Sequence, residues 1–238
     1  MPRNSTDFIK FFRKVRGLFI CGTDTDIGKT YISRIVADFF SKLGTVTYYK
    51  PVQTGCELSS SGEVTAPDVS FVKHDLDIEA YASYCFPDAC SPHLAARLAH
   101  QPIKQHEIIR DFSALKASNR FLVTEGAGGV MVPLNSKWKM IDLVKECTLP
   151  VLLVTHPGLG MINHTMLTVE ALRAYKIPIA GVAINNSKNL ARDYICIDNE
   201  KTIRNALGNI PVGTIEYGAD SNSSNVKKFL NALTKHCS

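Results

Sequence analysis

The chain has 238 residues, of which 45% are hydrophobic and 21% charged, with a formal net charge of +5 at pH 7. These values are ordinary for a globular protein and exclude disordered, collagen-like and disulfide-scaffold classes. Since the basic residues form no dense stripe, we expect no nucleic-acid partner, and the mildly basic balance suits an anionic small ligand.

Hydrophobic runs are short throughout the chain. None approaches the roughly 18 residues of a transmembrane helix, so we expect no membrane association. Residues 1–16 mix basic and aromatic side chains without a long apolar core, so we interpret them as an N-terminal extension and not as a secretory signal. The seven cysteines are odd in number and form no C-x-x-C pair, which is typical of a reducing compartment and favours a cytoplasmic location.

Short apolar runs alternate with longer helical patterns along the chain. Strands are expected at residues 17–21, 45–49, 121–124, 150–155, 179–184 and 211–215. Helices are expected at residues 29–43, 105–117, 162–175, 193–207 and 224–235, and a polar loop at 56–67. Near-continuous apolar strands separated by helices indicate a parallel sheet covered on both faces. The sequence therefore predicts one α/β domain over residues 17–238, with ligands at the carboxyl ends of its strands.

The first predicted strand is followed by a glycine-rich segment, GTDTDIGKT at residues 22–30, which opens the first predicted helix. In such a loop backbone N–H groups bind phosphates, Lys29 brings a cation to the outer phosphates, and the Thr30 hydroxyl can ligate Mg²⁺. Five residues separate the two glycines, so Thr23 stands at the usual position of the first glycine. Strand, loop and helix together predict binding of a nucleoside triphosphate.

Two carboxylates and one lysine stand near the ends of predicted elements. Glu125 closes the strand over 121–124 and precedes a glycine-rich turn, which places it well for magnesium unless it is merely exposed in that turn. Asp68 precedes an apolar helix start, where helix capping is its alternative role. Lys50 ends the strand over 45–49, where it could stabilise charge on a phosphoryl group or carboxylate, or be a solvated surface cation.

In their order and spacing these segments resemble the dethiobiotin synthetases. The resemblance rests on GTDTDIGKT at 22–30, KPV at 50–52, SPH at 91–93, EGAGG at 125–129, LGMINH at 159–164 and Asn185. It implies a single-domain fold like that of P-loop nucleotide triphosphatases. It also implies a ligase of biotin biosynthesis that uses ATP and Mg²⁺ to convert 7,8-diaminononanoate and CO₂ into dethiobiotin, ADP and phosphate. The implied intermediates are a carbamate and a carbamic-phosphoric anhydride.

The resemblance also implies roles for individual residues. Lys50 and Lys29 would be catalytic, and magnesium would be held by Thr30, Asp68 and Glu125. The nucleotide would contact Thr25, Asp26, Ile27, Gly28, Lys29, Thr30, Tyr31, Asp68, Glu125, Gly126, Ala127, Gly128, Asn185, Asn186, Glu216 and Tyr217. The substrate would contact Thr54, together with Gly160, Met161, Ile162 and Asn163 from the neighbouring subunit of a homodimer.

Two departures from the family pattern concern the nucleotide: the first bears on the contact of Asp26 with it, and the second leaves the base preference open. Asp26 stands where the family often has glutamate, and the loop at 213–218, which would lie on the adenine side, matches no firm motif at Glu216 and Tyr217.

Two other functions are alternatives. A cobyrinate-type amidating ligase shares the loop and sheet, but it usually needs a glutamine-hydrolysing domain, for which 238 residues leave no room. An ATPase switch of the partitioning or metallochaperone type usually carries a second lysine near the start of the loop, where this chain has Thr23 and Asp24.

Overall fold

The structure is a computed structural model that describes residues 15–58, 64–118 and 121–237. In chain order its elements are β1 (Gly17–Gly22), α1 (Lys29–Ser41), β2 (Val46–Thr54), β3 (Glu57–Leu58), β4 (Val64–Thr65), α2 (Pro67–Lys73), β5 (Glu79–Phe86), α3 (Pro92–Leu98), α4 (Gln105–Ala117), β6 (Phe121–Gly129), α5 (Met140–Cys147), β7 (Val151–Thr155), α6 (Met161–Ala174), β8 (Ile179–Asn185), α7 (Tyr194–Leu207), β9 (Val212–Ile215) and α8 (Ser224–His236).

Seven of the strands form one sheet in the order β5-β2-β6-β1-β7-β8-β9. Every neighbouring pair is parallel, so the predicted sheet is confirmed. β1 lies in the middle, and the loop that follows it therefore opens at the centre of the carboxyl edge, where ligands bind in such sheets. β3 and β4 form a separate antiparallel pair, so the segment predicted as a polar loop is partly a short hairpin.

Hydrophobic residues are buried on both faces of the sheet. On one face, Phe40 of α1 and Leu233 of α8 pack in a cluster with Leu18 of β1. On the other face, Val144 of α5 packs in a cluster with Phe19 of β1. Because neighbouring side chains of a strand point to opposite faces, Leu18 and Phe19 pack against helices on opposite sides of the sheet. This double burial is what the near-continuous apolar strands predicted.

Besides the hairpin strands β3 and β4, the structure contains β5, α3 and α5, which the sequence did not predict, and α2, of which only an apolar start after Asp68 was expected. β5 is an edge strand, and its side chains are mostly exposed or half-buried except for Tyr84 and Phe86, so it lacks a continuous apolar run. The helices have seven, seven and eight residues. Two turns of helix are too short for hydrophobic periodicity to be distinguished from a loop.

The second strand is longer than predicted, and this changes the position of Lys50. Pairing of β2 with β6 ends at Tyr49, whereas pairing with β5 continues to Thr54. Pro51 has no N–H to donate, and it stands just beyond the last residue that pairs with β6. Lys50 is therefore not the end of its strand, but the point at which β2 separates from β6. β6 likewise continues past Thr124 to Gly129, so Glu125 lies within its strand.

The expected N-terminal extension falls mostly on residues 1–14, which lie outside the described residues. β1 begins at Gly17, where the first strand was predicted. Over the ranges that the structure describes, no helix combines the length and the hydropathy that crossing a membrane requires.

Candidate functional site

The loop between β1 and α1 closes tightly around its own lysine. Gly28 has φ 79° and directly precedes α1. A Cβ atom at this position would lie 2.2 Å from Nδ2 of Asn185, so glycine is required for both conformation and space. Lys29 Nζ donates a hydrogen bond to the main-chain oxygen of Asp24 at 2.7 Å, which holds the ammonium under the loop. The N-terminus of α1 thus presents backbone N–H groups and a cation together, as phosphate binding needs.

This loop borders a cavity of about 670 Å³ at the carboxyl edge of the sheet. Half of the predicted site residues line it, namely Thr25, Asp26, Gly28, Lys29, Thr30, Lys50, Thr54, Asp68, Glu125, Ala127 and Gly128. The structure therefore brings the predicted phosphate, magnesium and catalytic residues to one space, and Thr54 lies in the same wall.

Glu125 is the centre of a hydrogen-bond network at the floor of this cavity. Its side chain is fully buried. Oε1 accepts hydrogen bonds from Lys50 Nζ at 2.6 Å and Thr30 Oγ1 at 3.0 Å. Oε2 accepts from Ser33 Oγ at 2.7 Å and Tyr48 Oη at 2.8 Å. A buried carboxylate is costly unless donors surround it, and here both oxygens have two.

Lys50 joins this network to Asp68. Its ammonium lies 2.6 Å from Oδ2 of Asp68 and 2.6 Å from Oε1 of Glu125. Burial alone lowers the pKa of Lys50, but the charges of Glu125 and Asp68 outweigh it and the pKa is raised. Lys50 therefore carries its charge into the cavity at neutral pH. The neighbouring Lys29 has its pKa lowered, first by burial and then by the like charge of Lys50.

The oxygens around Lys50 suit a magnesium ion that is bound together with phosphates. Within the described part of the chain, no three His, Cys, Asp or Glu side chains could hold a metal by themselves. Mg²⁺ usually takes only one or two carboxylates, with phosphate oxygens and waters completing about six ligands. The carboxylates of Asp68 and Glu125 converge on one ammonium, and the Thr30 hydroxyl touches the same Glu125 oxygen. This donor set fits Mg²⁺.

Asn185 supports the phosphate loop from below. Its Nδ2 donates to the main-chain oxygen of Ile27 at 2.9 Å, across 158 residues of sequence. It also lines a second cavity of about 150 Å³, which extends from the loop to Ser187 and Leu190. Its Oδ1 is buried and has no hydrogen-bond partner among the described residues. Asn186 instead folds its own loop, because its side chain bonds twice to the backbone of Leu190.

Seven residues predicted to contact the nucleotide lie outside the wall of the large cavity, and three of them, Tyr31, Glu216 and Tyr217, lie on or near the late loop. The Tyr31 hydroxyl donates to the main-chain oxygen of Ala219, so it ties α1 to the late loop. Glu216 forms an ion pair with Arg192 at 2.9 Å. The ring of Tyr217 is 63% exposed, free to meet a ligand that approaches from solvent.

Ile27 and Gly126 lie behind the site. Ile27 is buried in the core beneath the phosphate loop. A Cβ atom on Gly126 would lie 3.1 Å from the Met140 sulfur and 3.3 Å from the Phe19 ring, so the absence of a side chain allows close packing there.

The four residues expected to bind substrate from a neighbouring subunit form the start of α6 and the turn before it. Gly160 and Asn163 are exposed, Met161 is buried and Ile162 is half-buried. None of them lines the large cavity of its own chain. Leu159, just before them, is 88% exposed.

Sequence reasoning missed several residues of this site. The cavity wall also contains Gln53, Cys90, Ser91, Pro92, Val132 and Ser187. The SPH motif at 91–93 was a usable signal for two of them. Ser33 and Tyr48, the partners of Glu125, also had local signals: Ser33 is one helical turn after Thr30, and Tyr48 is two residues before Lys50 on the same strand face.

A parallel sheet with a phosphate loop after its central strand, and with buried lysine, threonine and carboxylates around that loop, defines a nucleotide-binding protein of the P-loop class. The sequence family described as an AAA domain matches residues 16–225. The ATP-dependent dethiobiotin synthetase BioD of Halalkalibacterium halodurans is 34% identical over 210 residues, which cover 87% of this chain and 86% of that protein. The BioD of Fusobacterium nucleatum is 39% identical over 177 residues, which cover 73% and 80%. The chain belongs to the ATP-dependent dethiobiotin synthetase family, and it is accordingly an ATP-using ligase.

Solved structures agree on the fold alone. A ParA family ATPase from Chlorobium tepidum TLS has a TM-score of 0.52 at 14% identity, over 94% of this chain and 97% of that chain. The cell division ATPase MinD of Pyrococcus furiosus has a TM-score of 0.53 at 13% identity, over 92% and 98%. At such identities a shared sheet and loop carry no argument for the ATPase-switch alternative.

Proposed function

We propose that this chain closes the ureido ring of dethiobiotin from 7,8-diaminononanoate, CO₂ and ATP. The observation that carries the proposal is the position of Lys50, whose buried ammonium lies in the wall of the cavity that the phosphate loop borders. A reaction between an anionic carbamate and a triphosphate needs a fixed cation between the two anions, and Lys50 is held there by Glu125 and Asp68.

The proposed chemistry has three steps. One substrate amine adds to CO₂ and loses a proton, which forms the C–N bond of a carbamate. A carbamate oxygen then attacks the γ-phosphorus, and ADP leaves. The second amine attacks the carbonyl carbon of this mixed anhydride and loses a proton, phosphate leaves, and the ring closes. Lys29 and Lys50 would hold the negative oxygens close to one another during the phosphoryl transfer, since positioning and charge stabilisation are what such a transfer needs.

Thr30, Asp68 and Glu125 would hold magnesium in this proposal. The ion would supply positive charge to the β- and γ-phosphate oxygens. The loop residues Thr25 to Gly28, with Ala127 and Gly128 opposite, would hold the phosphates. The base would lie toward Asn185, Asn186, Glu216 and Tyr217.

Mixing the protein with MgATP and bicarbonate should release phosphate only when 7,8-diaminononanoate is also present. Phosphate would be measured by a colorimetric assay, and the product by mass spectrometry. A product with the mass of the cyclic urea supports the proposal. Hydrolysis that proceeds equally without the diamine would contradict it and favour the ATPase switch.

We further propose that the chain forms a homodimer. Gly160–Asn163 of one protomer would complete the substrate site of its partner, in which Thr54 is supplied by the same protomer as the phosphate loop. The support is their placement: they lie off the cavity of their own chain and beside the exposed Leu159. Sedimentation of the full chain at micromolar concentration should give twice the chain mass, and Leu159→Glu should shift it to one chain with a loss of activity. A fully active monomer would contradict the shared site.

The cellular location of the protein and the residue range of its catalytic domain are also proposals. A cytoplasmic location is supported by the seven free cysteines. Burial raises the pKa of one of them, Cys21, to about 12, so its thiol stays protonated and unreactive. Residues 1–16 are proposed as an extension ahead of the catalytic domain over 17–238, since β1 begins at Gly17.

A further inference from the structure

The two oxygens of Glu125 have different partners. Oε1 is bonded to Thr30 and Lys50, which both line the cavity. Oε2 is bonded to Ser33 and Tyr48, which lie outside the cavity wall and play no part in the mechanism above. The carboxylate thus has one oxygen that bonds to residues of the cavity wall, and one that bonds to residues outside that wall.

The buried position of Tyr48 directs its hydroxyl to Oε2 of Glu125. Its side chain has no exposure to solvent, and β2, which lies between β5 and β6, holds it on the same strand face as Lys50. Its hydroxyl lies 2.8 Å from Oε2 and donates a hydrogen bond to it. Since the strand holds the buried tyrosine in place, this hydrogen bond fixes the direction of the carboxylate.

We propose that Tyr48 is a positioning residue of the magnesium site. Together with Ser33 it holds Oε2 of Glu125, and it thereby keeps Oε1 directed toward Thr30 and Lys50. The inference rests on the proposed function, since it takes Glu125 as a magnesium ligand. Partners that orient a metal-ligating group typically change metal affinity by about 10–100-fold when they are removed.

The next residue on the same strand provides a matched control. Tyr49 is also buried, and its hydroxyl bonds to Ser83 Oγ at 2.6 Å and to the main-chain oxygen of Ile108 at 3.3 Å. It points to the opposite sheet face from Tyr48, away from Glu125. Tyr49→Phe therefore removes a buried hydroxyl without touching Glu125.

The test measures Mn²⁺, a spectroscopic substitute for Mg²⁺, in the presence of ADP. Free Mn²⁺ would be followed by electron paramagnetic resonance with the full chain in excess over ADP, so that catalysis is not the readout. We expect Tyr48→Phe to weaken Mn²⁺ binding about 10-fold. Ser33→Ala should also weaken it, and Tyr49→Phe should leave it unchanged. Thermal melting of each variant would report its folding.

The outcomes separate this inference from the proposed function. If Glu125→Gln weakens Mn²⁺ binding and Tyr48→Phe does not, the positioning role is wrong while the magnesium site stands. If Glu125→Gln changes nothing, both the magnesium assignment and the positioning role are overturned. Equal weakening by Tyr48→Phe and Tyr49→Phe would show a general packing effect and overturn the inference. Should Tyr48→Phe not fold, Ser33→Ala decides by the same criteria, because it removes the other donor to Oε2.

Discussion

Replacing Lys50 with glutamine is expected to lower the rate of ring closure by at least about 10²–10³-fold, while the protein still binds ATP. Losing one preorganised donor to a developing negative charge typically costs that much in kcat. Nucleotide binding should persist because Lys29 and the backbone of the phosphate loop remain. The measurements are turnover at saturating MgATP and diamine, and ADP affinity by calorimetry.

Two controls make this result specific. Lys50→Gln also removes the cation that Glu125 and Asp68 share, and breaking a buried ion pair costs about 3–5 kcal/mol, less where one partner is partly exposed as Asp68 is. Urea denaturation must therefore show that the variant is folded under the assay conditions. Lys42→Gln removes an exposed cation, paired with Asp38 at 3.0 Å, and should leave turnover unchanged. Weaker ADP binding with normal turnover at saturation would contradict the role of Lys50.

The second large effect is expected from Gly28→Ala, which should weaken ADP binding by about 10–100-fold. A non-glycine residue held at φ 79° carries strain of about 1–3 kcal/mol, and each 1.4 kcal/mol corresponds to roughly a factor of ten in affinity. The added Cβ would also lie 2.2 Å from Asn185 Nδ2, so either the loop or Asn185 must move. Calorimetric titration with ADP is the measurement.

Gly208→Ala is the matched control for backbone strain. Gly208 has φ 60°, and a Cβ atom there would have nothing within 4 Å. It follows α7, outside both cavity walls, so its replacement should cost stability without changing ADP affinity. Equal ADP affinity in Gly28→Ala and the unchanged chain would refute the role of the Gly28 conformation in phosphate binding.

Local sequence patterns were sufficient for the central strands and the phosphate loop. Residues 17–21 and 179–184 are continuous apolar runs because helices cover both faces of those strands. Their burial in the folded protein can therefore be read from the local sequence. The phosphate loop is equally local, since strand, glycine and lysine are contiguous. Lys50 and Glu125 could be singled out for the same reason, because each stands where an apolar strand meets polar or glycine-rich residues.

The edge of the sheet and the short helices could not be predicted in this way. β5 has a solvent-exposed side, and α2, α3 and α5 are too short to establish a period. The end of β2 was also misplaced: the strand was predicted to end at residue 49, whereas it continues through Pro51 to Thr54. The structure explains why the proline is tolerated: β6 no longer pairs with β2 at that point.

The sequence by itself determined the α/β class, the phosphate loop with Lys29 and Thr30, and the identity of Lys50 and Glu125 as candidate site residues. Only the tertiary structure decided that Lys50 lies between Asp68 and Glu125, that Tyr48 and Ser33 hold the far oxygen of Glu125, and that Asn185 supports Gly28. The physical reason is that strand order and helix packing set these contacts. β2 lies beside β6, and Asn185 meets Ile27 across 158 residues of sequence, so no local pattern records either pairing.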